Sequence, residues 1–102
     1  MSYLNMAPQQ FKAAIETAEN HVILDVRTPL EVSQGAIPHS IVIDFLTEEF
    51  PDKVKNLDKN KHYYIYCKSG NRSLQACQMM SQMGFKHLVN LDGGITAWNS
   101  HQ

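Results

Sequence analysis

Cys67 opens the run Cys67-Lys68-Ser69-Gly70-Asn71-Arg72-Ser73, directly after Tyr63-Tyr64-Ile65-Tyr66. The aromatic and β-branched run reads as a buried strand. Ser73 stands at an N-cap position ahead of Leu74-Gln75-Ala76-Cys77-Gln78-Met79-Met80, which reads as a helix. The thiol is therefore expected at a strand end, facing backbone N–H groups and a helix N-terminus. Such a cradle favours anions, a thiolate among them. Lys68 and Arg72 add two positive charges beside it. A cysteine so placed can fall from about 8.5 into roughly the 3.5–7.5 range, where it is a nucleophile at neutral pH. The plainer reading is a buried structural cysteine, and the polar, glycine-bearing loop with its two cations speaks against it.

Each loop residue carries its own expectation. Gly70 supplies a positive φ or a close backbone approach. Lys68 either guides an anionic substrate or is a solvated surface lysine. Arg72 binds substrate or holds the loop closed at the helix start. Ser69, Asn71 and Ser73 shape the loop or cap the helix, and their side chains need no catalytic role. Together, residues 68–73 form the expected substrate-binding cradle around a catalytic Cys67.

Loop length narrows the chemistry. Four residues lie between Cys67 and Arg72. Protein tyrosine phosphatases place five there, with a histidine commonly where this chain has Tyr66. The shorter loop resembles that of the rhodanese-domain sulfurtransferases. Three further blocks carry the resemblance in the family's order: Ile23-Leu24-Asp25-Val26-Arg27-Thr28-Pro29-Leu30-Glu31-Val32, Gly35-Ala36-Ile37-Pro38-His39-Ser40 and Leu91-Asp92-Gly93-Gly94-Ile95-Thr96-Ala97-Trp98. Ala36 stands where the family usually has histidine, and His39 where it usually has glycine. Both departures fall on the second block's turn.

The resemblance implies a persulfide on Cys67, formed from an anionic sulfur donor such as thiosulfate and discharged to a thiol or cyanide. It also implies that Asp25, Arg27 and Glu31 form structural pairs near the site, with substrate contact by Arg27 as the alternative. A sulfur carrier or regulatory module working with a sulfur-acceptor protein is the second reading. A phosphatase or arsenate reductase is the third, disfavoured by loop length and by the lack of an evident general acid.

Composition sets the outer bounds. The 102 residues suit one domain, spanning 1–102, with a real but not generous core. Nine basic against ten acidic residues leave a formal charge of −1, which implies no nucleic-acid surface. No apolar stretch approaches the ~18 residues of a membrane span, and no secretory leader pattern opens the chain, so the expected compartment is the cytoplasm. Cys77, in the predicted helix, reads as a small buried residue. The five histidines, His21, His39, His62, His87 and His101, show no ligand spacing, so neither metal nor cofactor is expected.

The elements that must position the loop follow from periodicity. Pro8, Phe11, Ala14, Ile15 and Ala18 space as a helix that stops near Asn20. Strands are expected at 22–26, 41–43, 63–66 and 87–91, with 63–66 central. Thr28-Pro29 begins a turn and short helix. A helix starting near Thr47, reset at Pro51, continues through Leu57. Ser73 to Met83 forms a helix stopped by Gly84, and a terminal helix begins at Ile95. Short apolar strands alternating with helices predict an α/β fold, a central parallel sheet covered on both faces. Right-handed crossovers would bring Arg27, Cys67 and Asp92 to one sheet edge.

Overall fold

A computed structural model describes residues 3–101. Five parallel strands, β1 (Leu4–Met6), β2 (His21–Asp25), β3 (Ser40–Val42), β4 (His62–Tyr66) and β5 (His87–Leu91), lie in the order β1-β5-β4-β2-β3. The helices are α1 (Pro8–Thr17), α2 (Pro29–Ser33), α3 (Phe50–Lys55), α4 (Asn71–Gln82) and α5 (Gly94–Ser100).

The tyrosine-rich run is central because both of its faces are buried. Tyr63, Ile65 and Cys67 pack with Val54 of α3 and Ala76, Cys77 and Met80 of α4. Tyr64 and Tyr66 pack on the other face with Phe11 of α1 and Ile95 and Trp98 of α5. A strand buried on both sides has no polar face, so its sequence does not alternate in polarity. The register Ile23↔Tyr64 and Tyr64↔Val89 brings the C-terminal ends of β2, β4 and β5 level. Arg27, Cys67 and Asp92 accordingly emerge at one edge.

Two local expectations are corrected, and one strand is additional. β1 is a three-residue edge strand that periodicity does not reveal: Leu4 is exposed, and its order comes from pairing with β5 through Leu4↔Val89 and Met6↔Leu91. α3 ends at Lys55 rather than Leu57, and Pro51 lies in its first turn, where proline is tolerated, instead of interrupting it. Ser73 is not the N-cap of α4. Gly70 is, at φ 107°, and the helix begins two residues before Ser73. The turn to left-handed backbone needs glycine, and it brings the first-turn N–H groups round to the thiol.

Candidate active site

Cys67 follows directly on β4, with only 1% of its surface exposed. Its Sγ accepts hydrogen bonds from the Gly70 N–H at 3.1 Å, the Ser73 N–H at 3.4 Å and the Ser73 hydroxyl at 3.4 Å. The Ser73 Oγ also lies 3.1 Å from the Gly70 carbonyl, so one hydroxyl proton serves two acceptors. Burial pushes the Cys67 thiol up. The Ser73 hydroxyl and the N–H groups of Ser73, Gly70 and Ser69 outweigh it and hold the thiol below its ordinary value. Hydrogen bonding, more than the neighbouring cations, therefore favours the thiolate. The Ser73 N–H belongs to the first turn of α4, one of the donors a helix leaves unpaired.

Arg72 is already engaged. Its Nη1 and Nη2 donate to the two carboxylate oxygens of Glu31, each at 2.7 Å. Arg72 and Cys67 still attract each other, but the Glu31 pair comes first. Glu31 also receives the Thr28 N–H and hydroxyl, forming the capping box of α2. The Arg72 bond is the largest influence on Glu31 and, against the opposing effect of burial, holds its carboxyl at about 2. Arg72 thus ties the Cys67 loop to α2.

Arg27 is buried at 4% exposure and pairs with Asp25 at 2.7 Å. Its remaining donors reach the Glu31 carbonyl at 3.3 Å and the Gly35 carbonyl at 2.8 Å. Tyr66, beside Cys67, accepts the Ile37 N–H at 3.1 Å and shares a 2.8 Å hydrogen bond with Ser40. These contacts fix the turn through residues 35–40. His39 there adopts φ 69°, the left-handed backbone that glycine occupies without strain, so the histidine carries a strain that a glycine would avoid.

Sequence reading missed the support behind the loop. The Ile95 N–H donates to the Cys67 carbonyl at 2.9 Å, and the Thr96 N–H donates to the Lys68 carbonyl at 3.1 Å. The start of α5 therefore braces the main chain of the site. A Cβ on Gly94 would fall against the Lys68 and Cys67 carbonyls. The Gly93-Gly94 pair was the available signal, because side-chain-free positions permit such an approach.

Lys68 is exposed and carries no ion pair among the described residues. With Arg27, Glu31, Gln34, Gly35, Thr96 and other neighbours it lines a hollow of about 180 Å³. A larger cavity of about 710 Å³ includes His21 and Lys61, by the opposite strand ends, and none of residues 67–73. Size alone does not make it the site; the donor-lined thiol lies elsewhere. Ser69 and Asn71 are exposed. Cys77 is fully buried in α4, and burial, then the charge of Cys67, pushes it up to about 12. Among the described residues no group of three or more His, Cys, Asp or Glu could hold a metal, and no helix is long and apolar enough to cross a membrane.

Known proteins resemble this chain in sequence and fold. The chain is 37% identical over 98 residues to the putative sulfurtransferase YtwF of Bacillus subtilis, covering 96% of this chain and 92% of that protein. It is 39% identical over 83 residues to a sulfurtransferase of Allochromatium vinosum, covering 81% and 76% of the two chains. The crystal structure of a rhodanese-related protein from Thermoplasma volcanium superposes with a TM-score of 0.83 at 32% identity, covering 97% of this chain and 93% of that one. The sequence profile of the rhodanese-like domain matches residues 7–101, and the chain belongs to that family.

Proposed function

We propose that this protein moves sulfane sulfur through a persulfide on Cys67, with thiosulfate as donor and a thiol or cyanide as acceptor. The observation that carries the reading is the cradle of N–H and hydroxyl donors converging on Sγ. The Cys67 thiolate attacks the outer sulfur of thiosulfate. A new S–S bond forms as the bond to the sulfonate sulfur breaks, and sulfite departs with that electron pair. The resulting anionic persulfide places its charge one atom further out. The same loop donors stabilise it as oxyanion-hole donors stabilise oxygen. Cyanide then attacks the outer sulfur, thiocyanate forms, and the Cys67 thiolate is restored. Lys68, beside the hollow, steers the donor anion. Arg72 and Arg27 hold the walls in place through Glu31 and Asp25.

A sulfur carrier is the second reading, supported by 33% identity to the putative sulfur carrier protein YrkF of Bacillus subtilis, of which the match covers 48%. Repeated turnover with cyanide against a single discharge to a protein separates the two. Intact mass after thiosulfate treatment tests the shared step: one sulfur atom is gained by the Cys77→Ser variant and none by Cys67→Ser. Uptake by Cys67→Ser overturns the assignment. Aryl phosphate hydrolysis should be negligible beside sulfur transfer, because the four-residue loop crowds a tetrahedral phosphate.

A further inference from the structure

Leu30 and Leu46 are 72% and 65% exposed, although both lie at the sheet edge that carries Cys67. Leu30 is in α2, just after β2, and Leu46 follows β3, the neighbouring strand. The Phe45 N–H donates to the Val26 carbonyl at 3.0 Å, which seats the Leu46 turn against the end of β2. Arg72 connects the two positions to the loop: it pairs with Glu31, next to Leu30, and is attracted by Asp44, two residues before Leu46. Single exposed leucines are ordinary on a protein surface. Here two flank the residue that closes the thiol's loop.

The charge on this side is acidic. Glu48 and Glu49 are exposed and Asp44 is half-buried beside Leu46. The nearby cations Arg27 and Arg72 are neutralised by Asp25 and Glu31. Lys68 lies between α5 and α2, sharing the small hollow with Ile95 and Thr96 on one side and with Glu31 and Gln34 on the other. The mouth is therefore two-sided, cationic at the hollow between α2 and α5 and apolar-acidic toward the turn after β3.

We propose that the Leu30–Leu46 rim docks a protein acceptor that presents its cysteine on a basic, apolar segment; this rests on the reading of Cys67 as the persulfide carrier. The thiol is 1% exposed, so an acceptor must bring its own sulfur to the loop. A persulfide extends the reacting atom outward by one S–S bond of about 2.05 Å. The acceptor thiolate attacks that outer sulfur. The new S–S bond forms, the bond to Cys67 breaks, and Cys67 leaves as thiolate. The acceptor carries the persulfide, and no outside oxidant or reductant is needed. Complementary charge raises the encounter rate, and the two leucines supply the apolar contact.

The test uses two synthetic twelve-residue peptides, each with one cysteine and three leucines, one bearing four lysines and the other four glutamates. Thiosulfate-loaded protein is freed of donor, and intact mass follows loss of sulfur to each peptide or to cyanide. The lysine peptide should discharge Cys67 about tenfold faster at low salt, with the advantage shrinking as salt rises. Leu30→Ser with Leu46→Ser should lower the ratio of lysine-peptide transfer to cyanide discharge about fivefold or more, and Glu48→Lys with Glu49→Lys should abolish the preference. Equal rates for the two peptides, or an unchanged ratio in the leucine variant, overturn the docking rim. Failure to load overturns the proposed function instead. Binding of cysteine-to-serine peptides to the Cys67→Ser protein then reads the rim without chemistry: tighter binding of the lysine peptide that weakens in the leucine variant supports it, and equal binding overturns it.

Discussion

Replacing Gly94 with alanine should damage both stability and Cys67 reactivity, although residue 94 touches no reacting atom. Its backbone sits at φ 62°, left-handed, and an added Cβ would meet the Lys68 carbonyl group and come 2.6 Å from the Cys67 carbonyl oxygen. Left-handed backbone costs an alanine about 1–2 kcal/mol. The collision is with main chain, which cannot rotate away, and such overpacking costs about 1–3 kcal/mol. Relieving it by moving α5 outward loosens the Ile95 and Thr96 hydrogen bonds to the loop, each contributing about 1 kcal/mol. These costs overlap, because relief of one incurs another, and a total of about 3 kcal/mol is expected. For a chain of this size that corresponds to a fall of roughly 12–24 °C in Tm. Gly35→Ala is the comparison: Gly35 also has a positive φ, 127°, but nothing lies within 4 Å of its added Cβ. Gly35 lies further outside the left-handed region open to alanine, so any stability that Gly94→Ala loses beyond Gly35→Ala is due to the collision and not to φ. Thermal and urea unfolding give the stability change, and alkylation of Cys67 below the transition reports whether the loop has shifted. A Gly94→Ala protein as stable as Gly35→Ala and as reactive as the parent would refute the bracing role of α5.

Ser73→Ala removes the hydroxyl that donates to Sγ. The thiolate should lose about 1.5 kcal/mol of stabilisation, roughly tenfold in the protonation equilibrium, and the alkylation inflection should move to higher pH; an unmoved inflection would show that the backbone donors suffice. Glu31 has its folded-state value lowered from 4.5 to about 2, so its contribution is present above 4.5 and is lost as pH falls toward 2. Acid titration of urea stability should show a loss of about 1–2 kcal/mol across that window, after solvent screening of a partly exposed pair, with a flattened limb in Glu31→Gln. His39→Gly should raise stability by about 0.5 kcal/mol, since left-handed strain is relieved while unfolded-state entropy rises; a loss of stability in urea would mean that the imidazole makes a compensating contact. In the native protein at neutral pH, iodoacetamide should modify Cys67 well before Cys77, as peptide mapping would show, because hydrogen bonds hold the Cys67 thiol below its ordinary value while Cys77 is pushed up to about 12.

What the sequence determined by itself was local. The distance from Cys67 to Arg72 is a count along the chain, and loop size follows from it. The Tyr63–Tyr66 run is apolar at every position, so it had to be a strand buried on both faces. Gly70 announced a backbone other residues disfavour, and its φ of 107° is such a backbone. The parallel sheet, and the edge where Arg27, Cys67 and Asp92 emerge, followed from alternating strands and helices. What the tertiary structure alone decided involves partners far apart in sequence. Arg72 read either as a substrate-binding cation or as the residue that closes the loop, and only the fold shows Glu31, forty-one residues away, holding it. β1 has no pattern of its own and exists because β5 offers an edge. Gly94 carried no local sign of what it faces, yet the main chain of Cys67 and Lys68 lies where its side chain would be. The groups that favour the thiolate were in plain view as residues 69–73, but which of them point at Sγ depends on where α4 begins. That start is set by the left-handed Gly70 packed near Gly93, a contact no local spacing encodes.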